Sequence, residues 1–388
     1  MRQMNVLISP ESIKRLVLVN FGGIGDEILF SPVISEIRRC LPKAHITLVL
    51  ENRSAVVSDL LPEVDAVIGV DIQGKPRVQM FFELANLLKT KYFDVVISSG
   101  SSPFISLMLW WSRIPYRVGF NTGWLSQKLL QLQAPLQQNR YAAEMYFALA
   151  QTFLQQLFGA AYHPPEPVVP LLAVAETEHP SEAERVGRLL ETHFPGRSSS
   201  ERYRFLVLIH PGVSRVSLQK GIDKTWPAES WAELILTLTQ QDCDVALVGG
   251  PDDARVVNDI LEALGDNLPP YFANLYGQTK SLKELALLMN RVDCVVSVDS
   301  APMHCAVGLK RPLIALFGPT DEKKLLPRVS WVRPMIRSEL TCRPCLWSYR
   351  NQNCETSTCL NVDVTVMSKA VIHMLHQQRP SARYLSQS

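Results

Sequence analysis

The sequence predicts an α/β protein with two doubly wound domains that face a central cleft. Short β-branched strands alternate with helical segments in both halves of the 388-residue chain. Between the halves lies YHPPEPVVP, where four prolines in nine residues prevent a regular helix. Ligands of such domains bind outside the carboxyl ends of the strands, so we expect the functional site there.

The first half of the chain predicts a parallel sheet over residues 1–165. Its strand-like segments are RLVLVN, HITLVL, DAVIGV, FDVVISS and YRVGF. Helices are predicted over 26–41, 78–90, 103–113 and 142–158, with a short helix after the second strand. A stretch with few strand signals precedes the last of these helices.

The second half predicts another doubly wound sheet over residues 166–362. After a polar segment, its strands are RFLVLIH, CDVALVGG, NLYGQ, CVVSV and PLIALFG. Helices are predicted over 228–240, 252–264, 281–291 and 302–309. Residues 363–388 form a last helix, over 365–377, and a tail, and we expect them to pack back on the first domain.

Composition excludes several classes of protein. Hydrophobic residues make up 47% of the chain, which is ordinary for a globular protein. Lysines and arginines number 39 and acidic residues 37, and they are spread along the chain, so a nucleic-acid partner is not expected. The start lacks an apolar core of signal-peptide length, and the longest apolar run is too short to span a membrane. We therefore expect a cytosolic protein, with Cys40, Cys243, Cys294 and Cys305 as reduced thiols in apolar segments.

A polar segment, Asp299 to His304, separates two apolar strands in VVSVDSAPMHCAVGLKRPLIALFGPT. Ser300 suits an N-cap and Pro302 the first helical turn, so a helix should begin at the carboxyl end of a strand. Its N–H groups would attract an anion. Capping alone would also explain these residues, with His304 as a satisfied histidine.

A glycine turn follows the first strand in LVLVNFGGIGDEILF. As a dinucleotide fingerprint it is incomplete, because Ile28 stands where the third glycine is needed. The turn places Asp26 at the start of a helix, where its carboxylate can abstract a proton from a bound hydroxyl or simply cap the helix.

Further candidates follow other strands of the second half. Ser214, Arg215 and Lys224 precede a helix and offer groups that hold a diphosphate, although Lys224 could be an ordinary solvated lysine. Gly249, Gly250 and Gly277 allow close approach of a ligand. Asp252 or Asp253 offers a carboxylate to ribose hydroxyls, although either may only cap a helix.

These motifs together resemble glycosyltransferase family 9, the heptosyltransferases of lipopolysaccharide core assembly. The resemblance rests on GGIGDEILFSP, HPG, KTWP, LVGG, YGQTKSLKELALLM, the segment from Ser297 to Thr320 and a CxPC-containing loop, and it covers roughly Leu16 to Leu375. It implies a GT-B fold of two Rossmann-like domains, with acceptor binding in the first and donor binding in the second.

The family also implies inverting transfer of heptose from ADP-heptose to a lipid-linked sugar, with no cofactor or metal at the reaction centre. Asp26 matches the family's proposed base, and Lys224 its phosphate-binding lysine. Asp299 and His304 match the motif beside the donor diphosphate. The remaining donor-site residues that we predict around this motif are Ser300, Ala301, Pro302, Gly318 and Thr320.

Two alternatives to this function stay open. The donor could be another nucleotide-activated sugar, since the residues that select heptose cannot be aligned from the sequence. The chain could also be a non-catalytic protein that binds nucleotide sugars, although Asp26 together with Lys224 argues against it because a binder needs no base.

A lipid-linked acceptor suggests work at the inner face of the cytoplasmic membrane. Trp110, Trp111, Arg113 and Arg117 could form a docking edge there. Alternatively, the tryptophans pack helix 103–113 into the core, and the doubly wound architecture favours this second interpretation.

Four cysteines lie close together in CRPCLWSYRNQNCETSTC. Cys342 and Cys345 have the two-residue gap of zinc knuckles, whereas Cys354 and Cys359 are spaced more widely. They could hold a structural zinc or form a reduced, redox-labile loop, and the looser second pair favours the reduced loop.

Overall fold

A computed structural model of the chain describes residues 8–72, 74–196, 204–222, 224–346, 354 and 357–377. The chain divides into two compact units, Met1–Ala173 and Val174–Ser388. The boundary expected after residue 165 lies slightly upstream of this division, in the proline-rich stretch. The predicted tail after residue 377 lies outside the described residues.

The first unit is built on a parallel sheet. Its strands are β1 Arg15–Val19, β2 His45–Glu51, β3 Ala66–Val70, β4 Val95–Ser98, β5 Tyr116–Phe120 and β6 Leu132–Ala134. Its helices are α1 Ile24–Cys40, α2 Arg77–Thr90, α3 Pro103–Trp111, α4 Trp124–Leu129 and α5 Ala142–Phe158, with a 3₁₀ segment over Asn52–Leu60. The strand order is β3-β2-β1-β4-β5-β6. Burial of β1 on both faces by helices explains its continuous apolar run.

The second unit repeats this architecture. Its strands are β7 Phe205–His210, β8 Cys243–Leu247, β9 Phe272–Asn274, β10 Cys294–Val298, β11 Leu313–Leu316 and β12 Val332–Met335. Its helices are α6 Pro180–His193, α7 Arg215–Gln219, α8 Ala228–Thr239, α9 Ala254–Leu264, α10 Leu282–Asn290, α11 Ala301–Gly308, α12 Glu322–Leu325 and α13 Val364–Gln377. The strand order is β12-β11-β10-β7-β8-β9, which confirms the predicted pair of doubly wound sheets.

Some elements differ from the prediction. The segment NLYGQ is not a strand: β9 ends at Asn274, and Gly277 turns the chain with φ +69°. Helix α6 lies in the segment described above only as polar. It was not predicted because its buried stripe is narrow and consists of Ala183 and Val186. Strand β12 was missed because Pro334 argues against a strand, and its position at the edge of the sheet explains why proline is tolerated.

Helix α13 packs on the second unit, and its expected contact with the first unit stays a prediction. Its buried face consists of Met367, Ala370, Val371, Met374 and Leu375. These side chains belong to the same hydrophobic core as Trp231 of α8 and Val296 of β10. The i, i+3, i+4, i+7 spacing of the apolar residues dictates this face, and the second sheet provides the surface that covers it.

Within the described part of the chain, no helix combines the length and the apolar character needed to cross a membrane.

Candidate active site

The predicted donor residues lie at the carboxyl edge of the second sheet. Strand order reverses between β7 and β10, which pair in parallel with His210 opposite Ser297. Such a switch point leaves a crevice outside the strand ends, where α/β proteins bind ligands. The loops that follow β7, β8, β10 and β11 carry Ser214, Arg215, Lys224, Gly249, Gly250, Asp252, Asp299, Ser300, Gly318 and Thr320, and Gly277 follows β9.

Lys224 and Asp299 form an ion pair at this edge. Lys224 Nζ lies 3.0 Å from Asp299 Oδ2, and the two side chains are 13% and 5% exposed. The segment that carries Lys224 is anchored by Trp226, whose indole packs edge to face against Trp231 at 5.1 Å. Lys224 is therefore not an ordinary solvated lysine, and its charge is held at the start of α11.

His210 and Asp253 form a second polar group, and their pairing was not predicted from the sequence. His210 Nε2 lies 3.3 Å from Asp253 Oδ2, and the same oxygen accepts a 2.7 Å hydrogen bond from Gly250 N–H. His210 Nδ1 lies 3.4 Å from the Ser300 hydroxyl. This chain of contacts links the ends of three neighbouring strands. The signal available in the sequence was a histidine at the end of a strand, followed by proline and glycine.

Asp252, one of the two aspartates predicted as candidates to contact ribose, faces solvent. Its carboxylate accepts from the Arg215 backbone N–H at 3.0 Å and pairs with the Arg215 guanidinium at 3.1 Å. The pair is exposed, so water screens much of its interaction. Asp252 therefore positions the Arg215 loop, in which Ser214 caps α7 by accepting from Ser217 N–H.

The turn between β10 and α11 differs in detail from the predicted cap. Ser300 occupies the N-cap position, but its hydroxyl makes no capping bond and contacts His210 and the Val298 carbonyl instead. Pro302 has no N–H, and Met303 N–H donates to the Ser300 carbonyl at 3.1 Å. The helix therefore provides no acceptor for the backbone N–H groups of Ser300 and Ala301, so these groups can donate to an anion. His304 is buried in α11.

The remaining predicted residues shape the two sides of this edge. Gly277 N–H donates to the Gly249 carbonyl at 3.1 Å, which joins the ends of β8 and β9. Thr320 is buried, and its hydroxyl has no partner among the described residues. Arg343 ties the cysteine loop to this side by donating to the carbonyls of Gly318 at 3.1 Å and Thr320 at 3.2 Å.

The four loop cysteines are free thiols: Cys342 and Cys354 are exposed, Cys345 is partly exposed and Cys359 is buried. Cys345 N–H donates to the Pro319 carbonyl at 2.9 Å, so part of the loop is held by backbone contacts. Among the described residues, which omit 347–353 and 355–356, no cluster of histidine, cysteine or acidic side chains fits a metal ion. The structural zinc stays a prediction.

Asp26 lies at the switch point of the first sheet. Helix α1 begins at Ile24, two residues earlier than predicted, so Asp26 is its third residue. Its Oδ2 accepts a 2.9 Å hydrogen bond from Gly23 N–H, and no donor among the described residues contacts Oδ1. A Cβ on Gly22 would lie 2.4 Å from the Asp26 Cβ, so only glycine permits this close turn. Asp26 thus caps its helix and still offers one carboxylate oxygen to solvent.

Glu27, the next residue, points into the protein and was also missed. Its carboxyl oxygens are buried and make no hydrogen bond of ordinary geometry within the described part of the chain, although Asn20 and Gly22 lie beside them. Burial, together with the negative charges of Asp26 and Glu51, raises the pKa of Glu27 to about 8, against the lowering effect of Asn20 and Gly22. Glu27 is therefore largely protonated at neutral pH. The two adjacent acids differ because α1 turns one outward and the other inward.

Two doubly wound units, each with polar groups at the switch point of its sheet, are the architecture of the GT-B class of proteins. The chain belongs to glycosyltransferase family 9 (heptosyltransferase), whose family model matches residues 81–354. This match confirms the resemblance found in the sequence and makes the protein a glycosyltransferase. The match includes the second sheet and begins after Asp26, and the roles of individual residues stay predictions.

Individual relatives agree with this family. The chain is 27% identical over 311 residues to lipopolysaccharide heptosyltransferase 2 of Salmonella typhimurium, which covers 79% of this chain and 83% of that protein. A family 9 glycosyltransferase from Veillonella parvula superposes with a TM-score of 0.72 at 22% identity, covering 94% of this chain and 97% of the other. ADP-heptose lps heptosyltransferase II of E. coli gives a TM-score of 0.68 at 24% identity, with 94% and 99% covered.

Proposed function

We propose that this enzyme transfers heptose from ADP-heptose to a hydroxyl of a lipopolysaccharide-core acceptor, with inversion and without a metal ion. The observation that carries the proposal is the largely buried pair of Lys224 and Asp299 at the start of α11. The names of the similar heptosyltransferases support the donor and the acceptor.

The donor diphosphate is proposed to bind at the β10–α11 turn. The amides of Ser300 and Ala301 and the N-terminus of α11 favour an anion there. Lys224 adds a positive charge, and the carboxylate of Asp299 holds its side chain in place. The Thr320 hydroxyl and the Ser214–Arg215 loop are further candidate donors to phosphate oxygens.

The nucleoside is proposed to lie along the ends of β8 and β9. Gly249, Gly250 and Gly277 leave room for the backbone to approach a ligand closely. Asp252 remains a candidate for the ribose hydroxyls if Arg215 moves to the phosphates, because the Arg215–Asp252 pair is exposed and weak.

Asp26 is proposed to act as the general base. It takes the proton of the acceptor hydroxyl as that oxygen bonds to the anomeric carbon, while the bond between this carbon and the diphosphate oxygen breaks. ADP leaves with the electron pair, and Lys224 stabilises its growing negative charge. Attack on the face opposite the leaving group inverts the anomeric configuration, by analogy with inverting glycosidases.

The metal-free mechanism follows from these roles. A divalent cation in such transferases neutralises the departing diphosphate, and here Lys224 with the α11 turn is proposed to supply that charge. Among the described strands of the second half, none ends at its carboxyl edge in an Asp-x-Asp motif that could hold such an ion. Asp242-Cys243-Asp244 lies at the amino end of β8, where Asp244 pairs with Arg204.

The test is a transfer assay with ADP-heptose and a heptose-deficient lipopolysaccharide core. We expect ADP release that depends on the acceptor, a product with the inverted anomeric configuration, and unchanged rates in EDTA. Asp26→Asn should retain ADP binding and lose about 10²- to 10⁴-fold in turnover, because the amide keeps the bond to Gly23 but cannot accept a proton.

A matched control is Asp363→Asn. Asp363 also accepts a helix-capping bond, from Val366 N–H at 3.1 Å, and lies on an exposed turn of the second unit. Its variant should keep full activity. Transfer by Asp26→Asn within a few-fold of wild type would refute the base assignment. ADP binding without transfer to any core acceptor would favour the non-catalytic alternative. Transfer that occurs only when another nucleotide sugar is supplied would replace ADP-heptose as donor.

A further inference from the structure

The outer face of α2 and α3 in the first unit carries exposed aromatic side chains. Trp110 and Trp111 are 44% and 45% exposed, and Phe82 is 45% exposed. Nearly half of the surface of each tryptophan therefore faces solvent, so the interpretation that both side chains pack into the core holds only for the remainder. We call this region, together with the cationic residues beside it, the α2–α3 face; it consists of Phe82, Lys89, Trp110, Trp111, Arg113 and Arg117.

The aromatic rings of this face pack against one another. Trp111 packs edge to face against the buried Phe81 and against Phe82, each at 6.1 Å between ring centroids, and Trp110 packs against Trp111 at 6.3 Å. These contacts cover part of each indole and leave the rest exposed to solvent. Tryptophan combines an apolar body with a polar N–H and is enriched where an apolar layer meets water.

Cationic groups surround the two indoles. A cavity of about 360 Å³ is lined by Lys89, Trp110, Trp111, Arg113 and Arg117. Lys89 and Arg113 are exposed, and neither has a carboxylate partner among the described residues. Arg117 is partly buried and donates to the backbone carbonyls of Leu129 and Ile114. The cavity therefore offers three positive charges beside two aromatic rings and no carboxylate in its lining.

We propose that the α2–α3 face docks this enzyme on an anionic phospholipid bilayer. The indoles of Trp110 and Trp111 enter the headgroup layer, while the cavity takes a lipid phosphate between Lys89, Arg113 and Arg117. Positive charge beside amphipathic aromatic rings is the combination that binds anionic membrane surfaces. The proposal stands independently of the sugar that the enzyme transfers.

Charge also argues against a second copy of this chain as the occupant. A two-fold contact would place the same patch of each copy face to face, so Lys89 and Arg113 would meet their own counterparts. Like charges in an interface cost free energy unless a carboxylate separates them, and none lines the cavity.

The test is flotation of the full chain with phosphatidylcholine vesicles that contain or lack phosphatidylglycerol. We expect flotation only with phosphatidylglycerol, decreasing as salt is raised because the attraction is screened. Arg113→Glu should lower the partition coefficient at least about ten-fold, since each cationic charge near an anionic surface contributes about five-fold. Trp110→Ala should lower it further through loss of aromatic burial.

The chain provides matched controls. Lys310 is exposed and adopts φ +55°, close to the φ +60° of Arg113, so Lys310→Glu makes the same change of charge at the same backbone conformation. Leu268→Ala removes exposed apolar surface from the second unit. Both variants should float like wild type, and circular dichroism should show that all variants are folded.

Three outcomes would overturn the proposal. The first is that the wild-type chain stays at the bottom of the gradient with phosphatidylglycerol vesicles. The second is equal flotation of Arg113→Glu and Lys310→Glu. The third is a vesicle-free dimer by analytical ultracentrifugation that Trp110→Ala converts to monomer without a change in flotation, because the face would then bind another copy of the chain.

Discussion

The ammonium nitrogen of Lys224 lies 3.0 Å from Oδ2 of Asp299, although the two residues are far apart in the sequence. Both follow strands of the second sheet, and the parallel register of β7 and β10 brings their loops to one edge. Removing either charge leaves the other in a site with little water, which typically destabilises a protein by about 3–5 kcal/mol. This coupling allows binding and stability to be separated by experiment.

Lys224→Ala is expected to weaken ADP binding about 10- to 100-fold, because a charged donor to the diphosphate is lost. It should also lower the melting temperature. Lys224→Ala/Asp299→Asn should recover most of the stability but not the affinity. Calorimetric titration with ADP and thermal unfolding measure the two effects. Lys220→Ala, at an exposed lysine of the same loop, is the control, and unchanged ADP affinity in Lys224→Ala would remove Lys224 from the donor site.

Gly212→Ala is expected to disturb the carboxyl edge of the second sheet by displacing Asp253. A Cβ at Gly212 would lie 1.8 Å from Oδ1 and 2.4 Å from Cγ of Asp253. Asp253 cannot yield easily, because it is buried and bonded to Gly250 N–H and His210. We expect a loss of about 1–3 kcal/mol in the free energy of unfolding, as for overpacked sites, and weaker ADP binding.

Gly187→Ala serves as the control for this change. Gly187 lies within α6, where the added methyl would meet only the end of the flexible Arg291 side chain at 2.8 Å. The preference of helices for alanine should keep its stability within about 1 kcal/mol of wild type. Equal denaturation midpoints for Gly212→Ala and wild type would show that Asp253 can move at little cost.

Glu27→Gln is expected to stabilise the protein at pH 8 and to change little near pH 4.5. The pKa of Glu27 is raised to about 8 in the folded chain by burial, against 4.5 for an unperturbed glutamate. The unfolded chain therefore releases this proton at lower pH than the folded chain, so Glu27 opposes folding increasingly between pH 4.5 and 8 and constantly above. Each pKa unit corresponds to about 1.4 kcal/mol, so the full effect is a few kcal/mol.

Urea denaturation of Glu27→Gln and wild type across this pH range measures the difference directly. Other titrating groups cancel in the comparison, and Glu144→Gln, at an exposed site of α5, controls for the chemistry of the substitution. A stability difference that is independent of pH would mean that Glu27 is already ionised in the folded protein.

The periodicity of the sequence was sufficient to predict most of the two sheets. Strands such as β1 and β10 are largely apolar runs rich in valine because both faces are buried, and that pattern is visible without tertiary information. The predicted strand NLYGQ begins at the last residue of the observed β9, which is only three residues long. Tyr276 and Gly277 belong to the turn beyond it. Helix α6 was missed because few of its side chains are buried.

The site was predictable where residues follow strands, and not where burial depends on neighbouring elements. Lys224 and Asp299 were placed at one edge from their positions after strands. Asp253 is buried whereas Asp252 is exposed, and Glu27 points inward whereas Asp26 points outward. In both pairs the orientation depends on the residue at which the helix begins. A shift of two residues at a helix start rotates a side chain to the opposite face, and helix boundaries read from sequence are uncertain by that amount.

The packing of α13 affects the order in which the protein can mature during synthesis. The first unit has all of its strands before residue 135, so it can fold while the ribosome is still translating the second. The core of the second unit includes Met374 and Leu375, so this unit cannot complete its core until these late residues have left the ribosome. A premature stop between Leu360 and Met374 would therefore release a chain with a complete first unit and an unfinished second unit, which we expect to be degraded.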